Sequence, residues 1–285
     1  MSDSNQQDKD VITTLGNSRI QHGKANDRIY LMKLDPADSD SIIEKLDKLA
    51  AENDYSKIFA KIPCEHATPF LDDGYVKEAE AEGFYNGTQD ACFLGKFLKD
   101  WRKEDPKREK HEEAIQKAKD RAGEGAGDLP EGHTWRKCTH DDVDDMVVVY
   151  REVFASYPFP IHDPDYLRKT MDENVVYFGI WHGEKLVALS SSEEDRDAQN
   201  SEMTDFATLP DQRGKSLAVF LLARMEEDAP SRGIKTAYTI ARSNSFGMNI
   251  TFGKMDYTFG GRLLNNTQIS GGFESMNIWY KPLVR

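Results

Sequence analysis

The sequence contains few cysteines and no regular metal-binding spacing. Its three cysteines, Cys64, Cys92 and Cys138, are widely separated and form no Cys-x-x-Cys pair. This pattern predicts neither a disulfide framework nor a zinc site, so we expect three reduced thiols. The seven histidines are also scattered, without His-x-His or His-x-x-x-His spacing. We therefore predict that no metal is bound.

Long apolar runs and an excess of positive charge are also missing. No stretch approaches the roughly 20 apolar residues that a membrane-spanning helix needs, and residues 1–27 lack the apolar core of a signal peptide. Lys and Arg total 37 against 50 Asp and Glu, which gives a formal net charge of −13. A surface of this sign repels the phosphates of nucleic acids. We therefore predict a cytoplasmic protein that binds neither nucleic acid nor a membrane.

Apolar spacing and charge divide the 285 residues into four segments. Residues 1–27 are polar without an apolar period and predict a disordered tail. Residues 28–98 contain strand and helix patterns, and residues 99–131 contain a charged helix followed by a Gly-rich linker. Residues 132–285 have the richest pattern, with strands and helices in mixed order. The prediction is an α/β fold with a mixed sheet and two structured halves.

The most informative segment joins a predicted strand to an amphipathic helix. The strand covers residues 202–208, and the connection contains Arg213-Gly-Lys-Ser-Leu-Ala218. A loop of this kind can direct consecutive backbone N–H groups, together with a helix N-terminus, toward an anion. An ordinary polar connection between a strand and a helix is the alternative interpretation.

This segment resembles the acetyl-CoA-binding motif of the GNAT superfamily of N-acetyltransferases, Arg/Gln-x-x-Gly-x-Gly/Ala. Arg213 and Ala218 match, whereas Ser216 replaces the central glycine and would allow a close backbone approach if its φ is negative. The resemblance implies that residues 132–285 form the catalytic domain. It also implies that the coenzyme is held by Ala207, Thr208, Arg213, Gly214, Lys215, Ser216, Leu217, Ala218 and Asn244.

The chain as a whole is similar to the β-lysine N-acetyltransferases of methanogenic archaea, most clearly over residues 84–97 and 260–281. The resemblance implies transfer of an acetyl group from acetyl-CoA to the terminal amine of β-lysine. The product, N-epsilon-acetyl-β-lysine, is a compatible solute that is made under salt stress.

An internal repeat supports two related halves. The segment Phe70-Leu-Asp-Asp-Gly-Tyr75 parallels Phe252-Gly-Lys-Met-Asp-Tyr257. The first half has no Arg-Gly-Lys loop, so we expect residues 28–98 to be a degenerate GNAT-like half packed on the catalytic one.

The proposed reaction requires a base, because a terminal amine has an ordinary pKa of about 10.4. Glu202 and Asp205 lie three positions apart, so a regular strand would direct them to opposite faces. We favour Glu202 as the base, directly or through water, with Asp205 as the second candidate. Phe252 stands where many family members carry a tyrosine acid. Either Tyr257, Tyr238, water or another group therefore donates the proton, or no acid is needed.

Recognition of β-lysine also needs partners for its carboxylate and its β-ammonium group. The aromatic turn and the late strands supply five predicted wall residues, namely Tyr157, Phe159, Arg242, Glu274 and Asn277. Three alternatives stay open: another small amine such as a polyamine, a protein lysine, or a non-catalytic protein that binds acetyl-CoA. An oligomer is possible.

Overall fold

The structure is a computed structural model that describes residues 10–155, 157, 159–269 and 271–284. These residues form thirteen strands and seven α-helices. The strands are β1 (Val11–Leu15), β2 (Ser18–Gly23), β3 (Arg28–Lys33), β4 (Lys57–Pro63), β5 (Val76–Tyr85), β6 (Gln89–Phe97), β7 (His133–Lys137), β8 (Val175–His182), β9 (Lys185–Asp195), β10 (Asn200–Thr208), β11 (Thr236–Arg242), β12 (Thr258–Ile269) and β13 (Gly272–Pro282). The helices are α1 (Ile42–Glu52), α2 (Ala67–Asp72), α3 (Arg108–Lys119), α4 (Val143–Val153), α5 (Pro164–Glu173), α6 (Leu217–Asp228) and α7 (Phe246–Lys254).

All thirteen strands belong to one mixed sheet, in the order β1-β2-β3-β4-β6-β5-β12-β13-β11-β10-β9-β8-β7. The pairs β3–β4 and β10–β11 are parallel, and each is connected through a helix. The central pair, β5–β12, meets at Gly261 and Ala79. A side chain on Gly261 would place its Cβ 2.6 Å from the Ala79 Cα, so only glycine permits this approach. The mixed α/β sheet that the sequence predicts is confirmed.

The strand order repeats about this central pair. Strands β3, β4, β6 and β5 correspond in order and direction to β10, β11, β13 and β12. The repeated segments also agree in detail, since Tyr75 N donates to Phe70 O and Tyr257 N donates to Phe252 O. Both aromatic pairs pack edge to face, with ring centroids 5.1 and 5.0 Å apart. The chain therefore contains two GNAT-like halves.

The first half has lost the features of an anion-binding loop. After β3, the carboxylate of Asp38 accepts hydrogen bonds from Asn17 N, Ser18 N and Ser18 Oγ. Lys45 also donates to this carboxylate. A carboxylate in this position repels a phosphate group, which agrees with the predicted degeneracy of this half.

A shared apolar cluster joins the two halves. Phe59, Phe84 and Phe93 of the first half pack with Tyr238 and Ile278 of the second. Separate clusters fill each half, beneath α1 and α2 in the first and around α4 and α6 in the second. Because the sheet curls, Lys33 of β3 pairs with Asp195 and Asp197 at the end of β9. Lys61 of β4 likewise reaches the hydroxyl group of Tyr238 on β11.

Two sequence-based expectations are wrong. Residues 10–27 are not a disordered tail, because β1 and β2 form a hairpin that continues the sheet through β3; residues 1–9 lie outside the described residues. Cys64 and Cys92 are not free thiols but form a disulfide, because the antiparallel pairing of β4 with β6 brings them together.

The charged segment from 99 to 131 also packs more closely than expected. In α3, the residues His111, Ala114, Ile115 and Ala118 form a buried stripe at helical spacing. This stripe lies against α7, where Gly253 approaches the Ala118 backbone. The helix therefore packs with the second half rather than forming a free connection, and the exact domain boundaries stay predictions.

Candidate active site

The parallel strands β10 and β11 separate part-way along their length. Their pairing covers Asn200, Ser201 and Glu202, and its last pair joins Glu202 to Tyr238. Beyond this point β10 continues to Thr208 and β11 to Arg242, and neither pairs with the other. We call this opening the fork. The edges of β10 and β11 that face the fork have main-chain N–H and C=O groups that do not pair with each other. A ligand can hydrogen-bond to these groups as an added strand would.

Strand β10 contains a β-bulge just after Glu202, where the fork begins. The register against β9 shifts between Thr204 and Ala207, and Asp205 adopts a positive φ of 54°. Aspartate tolerates this left-handed conformation better than most residues. The bulge changes the direction of the side chains that follow Glu202, as bulges commonly do beside functional sites.

The loop between β10 and α6 exposes a series of backbone donors. Arg213, Gly214, Lys215 and Ser216 are exposed, and Gly214 has a φ of 80° with open space around its Cβ position. Within the described chain, the amides of residues 214–219 have no hydrogen-bond acceptor. These groups and the helix N-terminus form a site that suits a diphosphate. The negative φ on which the expectation for Ser216 depends is not observed, because its φ is +58°.

Three carboxylates share the face of the sheet at the fork. Glu193 on β9 lies directly opposite Glu202. Ser191, two residues before Glu193, donates from its Oγ to Asp205 at 2.6 Å, and the hydroxyl group of Tyr157 donates to the same carboxylate. The predicted opposite orientation of Glu202 and Asp205 is therefore wrong, because the bulge breaks the two-residue period of the strand.

The local environment makes Glu202 a suitable proton acceptor. Its pKa is raised to about 7, mainly by burial and also by Glu193, while Lys61 acts in the opposite direction. Burial also raises the pKa of Asp205, while the hydrogen bonds from Ser191 and Tyr157 oppose that change. A base with a pKa near 7 is well matched to proton transfer at neutral pH.

Comparison with known proteins agrees with this geometry. The chain is 39% identical over 270 residues to the β-lysine N(6)-acetyltransferase of Methanococcus maripaludis, an alignment that covers 95% of this chain and 98% of that protein. The model of the acetyltransferase (GNAT) family matches residues 143–248. The chain belongs to the GNAT acetyltransferase family. The predicted resemblance, and with it the prediction of an N-acetyltransferase, is confirmed.

Other relatives cover the chain to different extents. The N-acetyltransferase YodP of Bacillus subtilis is 32% identical over 272 residues, which is 93% of this chain and 95% of that protein. Among solved structures, the ribosomal-protein-S18-alanine N-acetyltransferase of Escherichia coli has a TM-score of 0.47 and 14% identity. That match covers 54% of this chain and 95% of the other.

Most of the predicted coenzyme residues of this GNAT chain lie along one path. Ala207 and Thr208 are on the part of β10 that pairs with β9 but not with β11, residues 213–216 form the exposed loop, and Leu217 and Ala218 begin α6. Asn244 follows the end of β11 and instead lines a small cavity of about 40 Å³ that Asp105 and His111 also line.

The predicted acceptor residues are only partly brought together. Tyr157 reaches the site through Asp205, whereas Phe159 stays 37% exposed at the surface. Arg242 and Glu274 form a two-point ion pair, with both nitrogen–oxygen distances 2.6 Å. Arg242 lies four residues beyond Tyr238 on β11, or roughly 13 Å along the strand.

The prediction for Asn277 is wrong. Its side chain is fully buried on the helix-facing side of β13, because alternation along the strand directs it away from the fork. It accepts from Ser243 Oγ at 2.8 Å and donates to Asn249 Oδ1 at 2.8 Å. Asn249 also accepts from Trp279, so this network is structural.

Tyr257 is likewise placed in the core of the second half. It is 5% exposed and packs against Phe252, and burial raises its pKa well above the ordinary value. Its charged neighbours are Glu226 and Lys281 rather than the carboxylates at the fork. Tyr238 lies beside Glu202 at the fork and is the better placed of the two tyrosines.

Sequence reasoning missed Glu193 and Lys61. Glu193 belongs to the strand segment Ser190-Ser-Ser-Glu-Glu194, where a polar run inside an apolar sheet was the available signal. Lys61 interrupts the otherwise apolar end of β4, and its ammonium group is 3.5 Å from the Tyr238 hydroxyl oxygen. Its sequence position, 177 residues from Tyr238, gave no indication of this contact.

One group of potential metal ligands lies in the described residues, and two of its members are joined in a disulfide. Possible ligand atoms of Cys64, Glu80 and Cys92 lie within 4.8 Å of one another, but the two sulfur atoms are joined in the disulfide. No helix in the described part of the chain is long and apolar enough to span a membrane.

Proposed function

We propose that this chain transfers the acetyl group of acetyl-CoA to the terminal amine of β-lysine and forms N-epsilon-acetyl-β-lysine. The chemical part of the proposal rests on the fork, where Glu202, a carboxyl group with a raised pKa, lies at the point where β10 and β11 separate. The acceptor is supported by the identity of 39% over 95% of the chain to a β-lysine N(6)-acetyltransferase.

The residues around the fork fit acetyl-CoA. The free amides of residues 214–219 and the exposed Lys215 can hold the diphosphate, and the open edge of β10 at Ala207 and Thr208 can bond the pantetheine arm. When bound there, the coenzyme supplies a thioester carbonyl as the acetyl donor. No residue of the chain needs to carry the acetyl group, because the acceptor nitrogen can attack this carbonyl directly.

Glu202 performs the main proton transfer in this proposal. It accepts a proton from the terminal ammonium group of the acceptor, directly or through water, and leaves an amine with a free electron pair. Asp205, fixed by Ser191 and Tyr157, orients the amine by accepting a hydrogen bond. Tyr238 is the proposed donor of a proton to the departing sulfur, because it is next to Glu202 at the fork.

The wider setting follows from the same proposal. The product would serve as a compatible solute under salt stress, and the enzyme would act in the cytoplasm. Both statements, and the possibility of an oligomer, rest on the sequence and its resemblance.

The proposed function is tested by release of coenzyme A thiol from acetyl-CoA, measured with a thiol-reactive dye. Purified full-length protein is offered β-lysine, lysine, spermidine and a lysine-containing peptide at equal concentrations. We expect β-lysine to have the highest kcat/KM, and nuclear magnetic resonance of the product to place the acetyl group on the terminal nitrogen. Preference for spermidine or for the peptide would overturn the assigned acceptor, and no turnover with any amine would indicate a non-catalytic protein.

A further inference from the structure

A cleft between the two halves opens beside the fork. Its volume is about 310 Å³, which is within the usual range for a small-molecule site. The second half contributes Glu193 and Tyr238 to its wall, and the first half contributes Arg19 and Lys61. Because Glu193 and Tyr238 both pair with Glu202, the inner end of the cleft leads to the reacting position.

Lys61 is a half-buried cation without a carboxylate partner. Its ammonium group lies over the rings of Phe84 and Tyr238, 5.6 and 5.5 Å from their centroids. Among the described residues, no carboxylate oxygen lies within 4 Å of it, and its hydrogen-bonding partner is the Tyr238 hydroxyl group. Lys57 on the same strand differs, since it pairs with Glu78 at 2.7 Å. A partly desolvated ammonium group of this kind favours an anionic ligand.

Arg19 adds a second free cation to the same wall. It lies on β2, lines the cleft, and has no carboxylate within 4 Å among the described residues. It is close enough to Glu193 to lower the pKa of that carboxyl group. Lys33, by contrast, is already engaged by Asp195 and Asp197 at the rim. The first half therefore supplies cations to the cleft, and the second half supplies carboxylates together with Arg196, which is paired with Glu194.

The arrangement matches the charges of a diamino acid. An acceptor that extends from the fork into the cleft would place its terminal amine at Glu202 and its second ammonium group near Glu193. The carboxylate of the acceptor would then reach Lys61 and Arg19 on the wall that the first half supplies. A polyamine offers only positive charge and would meet Lys61 and Arg19 unfavourably.

We propose that the degenerate first half is the specificity element of the enzyme, in which Lys61, assisted by Arg19, binds the carboxylate of the acceptor. This inference rests on the proposed function. It explains why a half that has lost its own anion-binding loop stays packed against the catalytic half, since the acceptor site is complete only when both are present.

The test compares Lys61→Met with the wild type, using full-length protein and two acceptors. One is β-lysine, and the other is 1,4-diaminobutane, which keeps both amines at the same spacing but lacks the carboxylate arm. Assays at about pH 9 keep Glu202 ionised in each variant. We expect the KM for β-lysine to rise about 10-fold to 100-fold, because a charge-assisted hydrogen bond is lost. The KM for the diamine should fall or stay constant, and kcat should change less than about 3-fold.

Two further variants separate binding from folding. Lys61→Arg keeps the charge and should recover most of the affinity for β-lysine. Lys77→Met removes an exposed lysine of the same half that pairs with Glu80, and should leave both KM values unchanged. The melting temperature of each variant is measured beside its KM values, so that a loss of folding is distinguished from a loss of binding.

The outcomes distinguish this inference from the proposed function. If the wild type acetylates β-lysine but Lys61→Met keeps the same preference for it over the diamine, carboxylate binding by Lys61 is refuted and the proposed function stands. A fall in kcat with an unchanged KM would refute it as well. If the wild type does not acetylate β-lysine, both the proposed function and this inference fail.

Discussion

Replacing Glu202 by glutamine should destroy activity and stabilise the fold in the same variant. The Glu202 carboxyl group is held among Glu193, Asp205 and Tyr238, where burial raises its pKa to about 7 from the ordinary value of 4.5. The folded protein therefore binds this proton more tightly than the unfolded chain does. The contribution of this group to stability is largest below about pH 4.5, falls as the pH rises toward 7, and stays constant above that value.

The size of the effect follows from the same pKa difference. At about 1.36 kcal/mol for each pH unit, the ionised Glu202 costs the fold about 3 kcal/mol at pH 8. A neutral glutamine avoids this cost, so the melting temperature of Glu202→Gln should exceed that of the wild type by about 5 °C at pH 8. At pH 4.5 the two proteins should melt at nearly the same temperature, because both side chains are then largely neutral.

Activity should move in the opposite direction. The kcat/KM of the wild type should fall as the pH drops below about 7, since the base becomes protonated. Glu202→Gln should lose about 100-fold to 10,000-fold at pH 8 and should no longer show this acidic limb. Glu184→Gln, which changes an exposed carboxylate in the turn between β8 and β9, is the matched control and should alter neither property.

The measurements are thermal unfolding and initial rates between about pH 4.5 and pH 9. Equal melting temperatures of wild type and Glu202→Gln at pH 8 would refute the raised pKa. A pH profile that keeps its acidic limb in the variant would assign the base to another group, with Asp205 the first to examine.

Three other predictions concern the coenzyme loop, the proton donor and the joined halves. Gly214→Asp should weaken acetyl-CoA binding about 10-fold in calorimetry, because it places a carboxylate beside the diphosphate. Asparagine tolerates the positive φ as well as aspartate does, so Gly214→Asn is the control and should bind within about 3-fold of the wild type. Equal affinities of these two variants would contradict the loop assignment. Tyr238→Phe should lower kcat about 10-fold while Tyr257→Phe changes it less than about 2-fold, and the reverse order would show that the donor is the tyrosine in the core. Removing residues 1–98 should cause aggregation in light scattering, because it uncovers the apolar cluster that joins the halves; a soluble, active remainder would show that the second half is self-sufficient.

Local patterns in the sequence were sufficient for much of the fold. Residues 28–98 contain both strands and helices, as their pattern predicts, and the strand–loop–helix segment ending in α6 has the predicted order. These features depend on residues within a few positions of one another, so propensity and periodicity describe them well. The repeat of Phe70–Tyr75 in Phe252–Tyr257 likewise predicted two related halves.

Predictions that assumed regular local geometry were less successful. The two-residue period of a strand placed Asp205 opposite Glu202, but one bulge reversed that orientation. Ser216 takes the left-handed conformation that glycine usually supplies, so the loop keeps its shape without the expected residue. Asn277 was assigned to the acceptor wall by its position in a hairpin, although strand alternation buries it on the other face.

The sequence by itself determined the family and the two related halves, and it supplied the proposed coenzyme loop and the proposed base Glu202, because each is expressed in neighbouring residues. Only the tertiary structure decided which charges face that carboxylate. Glu193 reaches it through pairing between β9 and β10, and Lys61 through the curl of the sheet that lays β4 across β11. Such contacts depend on strand register and sheet curvature, which are set by packing across the whole molecule and have no counterpart in local sequence.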